Sequence, residues 1–222
     1  MEKIVEELCA RHGMLIEVKK NTTLVSTETR KQDPCVYYLL EGICSLTGYA
    51  VNGQEKVLLY HTAGTMIGFN PYVAGTDSGY FSYSGPVLLT RTRCRLYRIP
   101  ATAFRHYLDT SLDFNQYMVH LLSRNYHRTL AHFKQLQEES SVTVICRFLL
   151  SMCSDTPDGM VLPRFFTHEE ISKYLGVHLV TVSRIMSRMQ KSGYIKRIPA
   201  GLLIKDINAL QGIVENGETF KY

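Results

Sequence analysis

From Ser111 to Glu139 the chain runs without a glycine or a proline, and its apolar residues recur three and four apart. Phe114, Met118, Leu121, Leu122, Tyr126, Leu130 and Phe133 carry that pattern. A stretch of this kind gathers its apolar side chains on one side only as a long amphipathic helix. Ser111 or Thr110 is placed to cap it, and Asp113 lies near its positive end. At about 1.5 Å per residue the helix reaches roughly 40 Å, more than one small domain covers. The near-heptad spacing of these seven residues predicts a self-associating seam, for which a two-fold homodimer is the commonest solution.

The helix divides the chain into unlike parts. From about Lys19 to Pro100, β-rich runs such as Val36–Leu40, Lys56–Tyr60 and Val87–Leu89 alternate with turn signals. Those signals include Asp33-Pro34, Glu41-Gly42, Asn52-Gly53 and Ala63-Gly64. Asn52-Gly53 is the strongest, since both residues tolerate the positive φ of a tight hairpin. Turns about ten residues apart predict a small barrel or sandwich, preceded by a short helix from about Glu2 to Arg11. Beyond Ser140 the patterns give a helix over Val142–Cys153, a loop over Asp155–Gly159, two further helices, a short hairpin and a weak last helix from Asp206 to Val214. The chain therefore reads as α+β: a domain over 1–110, a connecting helix over 111–139 and a second domain over 140–222.

Composition narrows the function classes. A hydrophobic share of 45% against 20% charged residues supports a packed core rather than disorder. The longest apolar runs are a few residues, far short of a membrane span. The opening Met-Glu-Lys-Ile-Val-Glu-Glu has acids where a secretion signal needs basic and then apolar residues. A cytoplasmic protein with no membrane partner is expected. Cys9, Cys35, Cys44, Cys94, Cys146 and Cys153 show no two-residue spacing of a metal knuckle or redox pair, so buried thiols are expected. No nucleophile elbow, phosphate loop, metal-binding His-Glu-x-x-His or Rossmann glycine pattern occurs, and no catalytic or metal site is expected. An enzyme with a hidden constellation, or a purely structural dimer, are the rival classes.

The net charge of +5 is concentrated. Between Arg164 and Asp206 stand eight lysines and arginines (Arg164, Lys173, Arg184, Arg188, Lys191, Lys196, Arg197, Lys205) against three acids, and the rest of the chain balances. A local positive field of this kind suits a phosphate backbone, and a structural dimer has no use for it. The same stretch contains THEEISKYLGVHLVTVSRIMSRMQKSGYI, from Thr167 to Ile195. Thr167 and Glu170 form a capping box that starts one helix, with Ile171, Tyr174 and Leu175 facing inward. Gly176 turns the chain and Val177 plugs the angle. A second helix over Leu179–Lys191 buries Val182, Ile185, Met186 and Met189. Two helices joined by a glycine turn make a helix-turn-helix that reads double-stranded DNA. Val180, Thr181 and Ser183 are short enough for the major groove, and Arg184 is long enough to fork onto a guanine or a phosphate, with His178, Leu179 and Arg188 as further DNA-binding candidates. Thr167 at a helix N-terminus suits a phosphate. Tyr194 to Ile204 reads as a wing that brings Lys196 and Arg197 to the backbone.

The run from Glu170 to Ile195, with its Gly-Val turn and Thr-Val-Ser-Arg, resembles the recognition module of the Crp/Fnr family of regulators. Tyr38-Leu39-Leu40-Glu41-Gly42 and Met66-Ile67-Gly68 resemble that family's sensor, and the long helix is similar to its dimerisation helix. The resemblance implies a cupin-like β-roll of the cyclic-nucleotide-binding type, a dimerisation helix and a C-terminal winged helix-turn-helix. It also implies an effector-responsive homodimer on a pseudo-palindromic site, in contact with RNA polymerase if it activates. Where the family commonly has Arg-Glu, this chain has Leu179-Val180. A valine packs on a thymine methyl but cannot accept from cytosine, so an A·T-rich half-site is expected. Val177–Arg184 is most similar to the chlorophenol-sensing halorespiration branch.

The sensor departs further. In place of the family's Gly-Glu and Arg-Ser stand Ile67-Gly68-Phe69-Asn70 and Phe81–Pro86, and no arginine lies between Lys56 and Arg91. A cyclic phosphate would lack a cationic partner, so cyclic AMP is not expected. Cys9 alone before Cys35 does not make an iron–sulfur site. Haem, needing one or two axial ligands, stays an alternative through His12, His61, His120, His127 or His132. The main expectation is a small organic effector held by Tyr60, Phe69, Tyr72 and Tyr83, beside Tyr126 and Arg128 on the long helix. The competing reading makes those rings the barrel core.

Overall fold

The computed structural model describes residues 2–49, 55–73, 86–138 and 140–216, and the chain divides into two compact units, one to Thr129 and one from Leu130. In the first unit, helix α1 (Lys3–His12) precedes strands β1 (Met14–Val18) and β2 (Thr23–Val25), helix α2 (Thr27–Gln32), and strands β3 (Cys35–Glu41), β4 (Ile43–Tyr49), β5 (Glu55–Thr62) and β6 (Thr65–Ile67). A short α3 (Asn70–Val73), strands β7 (Val87–Thr90) and β8 (Cys94–Pro100), and helices α4 (Ala101–Thr110) and α5 (Leu112–Glu138) follow. Two antiparallel sheets form, ordered β1-β8-β3-β6 and β2-β7-β4-β5. Asn52-Gly53 lies outside the described residues, but β4 and β5 on either side pair antiparallel from Ile43↔Thr62 to Tyr49↔Glu55.

Strand β3 shows why the roll holds together. Successive side chains on a strand point to opposite faces. Tyr37 and Leu39 join Leu24, Val25, Cys44, Ile67, Leu88 and Leu96 between the two sheets. Val36 and Tyr38 face the other way, onto Val5 and Leu8 of α1, Phe104 and Tyr107 of α4, and the start of α5. Burial on both faces explains why β3 reads as a continuous apolar run rather than an alternation. Phe114 of α5 sits edge-on to Phe104 at 5.6 Å and to Tyr107 at 5.7 Å, the favoured arrangement of aromatic quadrupoles. Ser111 accepts from the Phe114 N–H at 3.2 Å and caps α5 as expected.

The seam on α5 needs correction. Phe114, Met118 and Leu121 are buried in the unit's own core, together with Tyr117, and are not available to a second chain. A different face is exposed: Val119, Leu122, Tyr126, Leu130 and Phe133, with Tyr126 62% and Phe133 64% accessible. The spacing of three and four does produce a helix, but the stripe is wide enough to serve two surfaces, and sequence periodicity does not separate them.

The second unit holds the end of α5, then α6 (Ser141–Met152), β9 (Ser154–Thr156), β10 (Gly159–Pro163), α7 (His168–Leu175), α8 (Leu179–Lys191), β11 (Ile195–Ile198), β12 (Gly201–Ile204) and α9 (Ile207–Asn216). The stretch expected as a loop over Asp155–Gly159 is a hairpin in which Thr156 pairs with Gly159. Its strand β9 is polar Ser-Asp-Thr at a sheet edge, so it carries no alternating signal. The sheet runs β11-β12-β10-β9. Helix α6 supplies Ile145, Cys146, Phe148 and Leu149 to the core and packs on α9. All six cysteines are free, five of them buried and Cys153 half-buried. Burial pushes Cys9 and Cys35 up to about 11 and Cys146 and Cys153 up to about 12, so these thiols are poor nucleophiles at neutral pH. Among the described residues no helix is long and apolar enough to cross a membrane.

Candidate nucleic-acid interface

Helix α7 begins at Thr167, whose hydroxyl accepts from the Glu170 N–H at 3.2 Å. The Thr167 N–H itself donates to the Phe165 carbonyl at 2.8 Å. Gly176 ends α7 with φ 65°, a left-handed position that glycine fills at little cost. Ser172 Oγ then donates to the Val177 carbonyl at 2.7 Å, tying the turn to α7. His178 acts locally, its Nδ1 accepting from the Val180 N–H at 3.3 Å and so capping α8. Val182, Ile185, Met186 and Met189 are buried, as are Ile171, Tyr174 and Leu175 of α7.

With that face committed, α8 turns the remainder outward. Leu179 and Val180 are 43% and 49% accessible on a helix whose other face is packed. Arg184 and Arg188 are exposed, while Thr181 and Ser183 are half-buried. The wing forms from β11 and β12 in the register Ile195↔Ile204 to Ile198↔Gly201, with Lys196 and Arg197 exposed on β11. Gly201 is required here: a Cβ would stand 2.0 Å from the Leu162 carbonyl oxygen, at φ 153°. A cleft of about 430 Å³ lies between the wing and the start of α7, lined by Arg164, Thr167, His168, Met186, Arg197 and apolar neighbours, with no carboxylate among them. The sequence marks Thr167 and Arg197 as DNA contacts; Arg164 and His168 join them here although no motif singles them out.

In the first unit the described members of the expected aromatic cluster divide between core and surface. Tyr60 and Phe69 are buried in the core, Tyr72 packs half-buried against it, and Tyr126 is exposed. Tyr83, with Tyr80 and Phe81, lies outside the described residues. The competing reading therefore describes Tyr60 and Phe69. What the structure brings together instead is His61, buried on β5, with Arg124 and Arg128 of α5. Arg128 Nη2 donates to the Tyr60 carbonyl at 3.4 Å. Burial, then the charges of Arg128 and Arg124, push the His61 imidazole down to about 3. The stretch between Lys56 and Arg91 gives no sign of these cations because they arrive from another element. Of the histidines considered for haem, His12, His120 and His127 are exposed and the His132 side chain lies outside the described residues. Among the described residues no three His, Cys, Asp or Glu side chains gather as a metal site.

A β-roll unit and a winged helix-turn-helix unit in one chain define a DNA-binding protein with a cyclic-nucleotide-binding-type domain. The profile of the cyclic nucleotide-binding domain matches residues 15–111, and that of the Crp-like helix-turn-helix domain matches residues 145–213. The nitrogen fixation regulation protein FixK of Bradyrhizobium diazoefficiens is 23% identical over 176 residues, 77% of this chain and 70% of FixK. Among solved structures, FixK2 from Bradyrhizobium japonicum has a TM-score of 0.70 at 14% identity, covering 95% of this chain and 99% of that one. CprK complexed with OCPA has a TM-score of 0.58 at 18% identity, over 96% and 94% of the two chains. The chain belongs to the Crp/Fnr family of transcriptional regulators, which are DNA-binding proteins and not enzymes.

Proposed function

We propose that this regulator works as a homodimer in the cytoplasm, binding a pseudo-palindromic, A·T-rich site in response to a small organic effector. The observation that carries the reading is the outward face of α8, where Val180 and Arg184 stand exposed while the opposite face is packed. Val180 packs on thymine methyls and Arg184 forks onto a guanine or a phosphate. Thr167, Arg188, Lys196 and Arg197 hold the backbone, and His178 and Leu179 set the start of α8. The exposed stripe Leu122, Tyr126, Leu130 and Phe133 supports a two-fold seam, and such a dimer reads half-sites about one turn apart. If the protein activates transcription, RNA polymerase is a further partner.

The effector is an organic anion with an apolar body. The guanidiniums of Arg124 and Arg128 beside buried, neutral His61 supply a positive potential that suits such an anion. Selection from random double-stranded DNA at physiological salt tests the reading. An A·T-rich palindrome should emerge with wild-type protein, and Arg184→Ala should lose it while remaining dimeric. Retention of the same site by Arg184→Ala would remove α8 from the groove.

A further inference from the structure

His168 is the first residue of α7, directly after the Thr167 cap. Its ring reaches α8, with Nδ1 3.1 Å from the Ser183 hydroxyl, fifteen residues on in the chain. Both residues are half-buried, and the ring also lines the cleft beneath the wing with Arg164 and Arg197. One histidine thus meets the scaffold helix, the recognition helix and the wing.

We propose that His168 is a positioning residue that sets the hydrogen-bonding polarity Ser183 presents to DNA, and so determines specificity at one base pair. The inference rests on α8 being the recognition helix. A serine hydroxyl has one proton. When Nδ1 carries a lone pair, Ser183 gives that proton to the ring and faces the groove as an acceptor. An acceptor matches the amino groups of adenine or cytosine. When Nδ1 carries a proton, Ser183 accepts from the ring and is free to donate, which matches the oxygens of thymine or guanine or a phosphate.

The surroundings disfavour the doubly protonated ring, in which Nδ1 must carry a proton; the neutral ring reaches the first state as its Nε2–H tautomer. Burial, and then the charge of Arg197, hold the His168 imidazole below the usual histidine range, which keeps the ring neutral at pH 7. Arg197 faces it from β11 and Arg164 from the segment before α7, and no carboxylate lines the cleft. On its own helix, Glu169 is engaged with Lys173 at 2.8 Å. His178 caps the start of α8 through Nδ1, so a variant there serves as the control for the other histidine of this helix pair.

The experiment is site selection from random double-stranded DNA at pH 7.5 and 5.5, using full-length wild type, His168→Ala, Ser183→Ala and His178→Asn, an amide that keeps a capping acceptor. Wild type should prefer an amino-bearing base at one position of each half-site at pH 7.5. That preference should fall towards pH 5.5, by up to about three- to ten-fold where the ring takes up its proton, the weight of one hydrogen bond. His168→Ala and Ser183→Ala should lose the same position at both pH values and keep the rest of the site. His178→Asn should respond to pH as wild type does. A site whose composition ignores pH and His168 overturns this inference alone. A wild type that enriches no site overturns the recognition-helix reading with it.

Discussion

Single residues hold some of the largest consequences in this molecule. His61 is buried and neutral, with its pKa at about 3, whereas a histidine in an unfolded chain titrates near 6.5. Between those values the unfolded state binds a proton that the folded state refuses. Stability present above about pH 6.5 is therefore lost as pH falls towards 3. Urea midpoints measured from pH 7 to pH 4 should fall steeply for wild type and less steeply for His61→Phe. Equal slopes would mean that the acid sensitivity lies elsewhere. Gly201 is a second such point. Gly201→Ala drives a Cβ into the Leu162 carbonyl, a backbone clash that no side chain can relieve. It should lower the stability of the second unit by about 1–3 kcal/mol, read from its denaturation midpoint, and weaken DNA binding through the displaced wing.

At the scale of elements, α5 turns one face to its own core and another to solvent, and substitutions separate the two. Phe114→Ala removes a ring packed against Phe104 and Tyr107 and should cost about 3–5 kcal/mol of folding stability. Tyr126→Asp changes an exposed position and should leave folding nearly intact while shifting sedimentation towards the monomer. Unchanged sedimentation would separate this stripe from the proposed seam. The helix, its cap and both helices of the DNA-reading pair were legible in the sequence, because periodicity, Ser111, Thr167 and Gly176 each have a local physical meaning. Which face of α5 met its own core was not legible, since Phe114 and Tyr126 obey the same spacing. Strand β9 escaped because an edge of Ser-Asp-Thr carries no apolar signal. His61 with Arg124 and Arg128, and His168 with Ser183, are long-range meetings that no local pattern encodes.

For the whole molecule, charge is the property that matters most in solution. The surplus of cations is concentrated between Arg164 and Asp206, so binding to DNA should weaken steeply with salt through release of counterions. Lys196→Ala should lower the slope of log affinity against log salt by about one without changing the preferred site, whereas Val180→Glu should change the site and leave the slope nearly alone. Fluorescence anisotropy titrations across a salt series, on matched and scrambled duplexes, would read both quantities at once.

The distribution of thiols has a practical meaning of its own. Cys9, Cys35, Cys44 and Cys94 belong to the first unit, Cys146 and Cys153 to the second, and five of the six are shut away from water. An alkylating reagent must wait for a unit to open before it reaches the buried thiols, Cys146 in the second unit and the four of the first. Timed labelling followed by mass analysis turns these cysteines into a pair of internal clocks, one for each unit. Run with and without a ligand or a DNA duplex, they would report which half of the protein that partner holds closed.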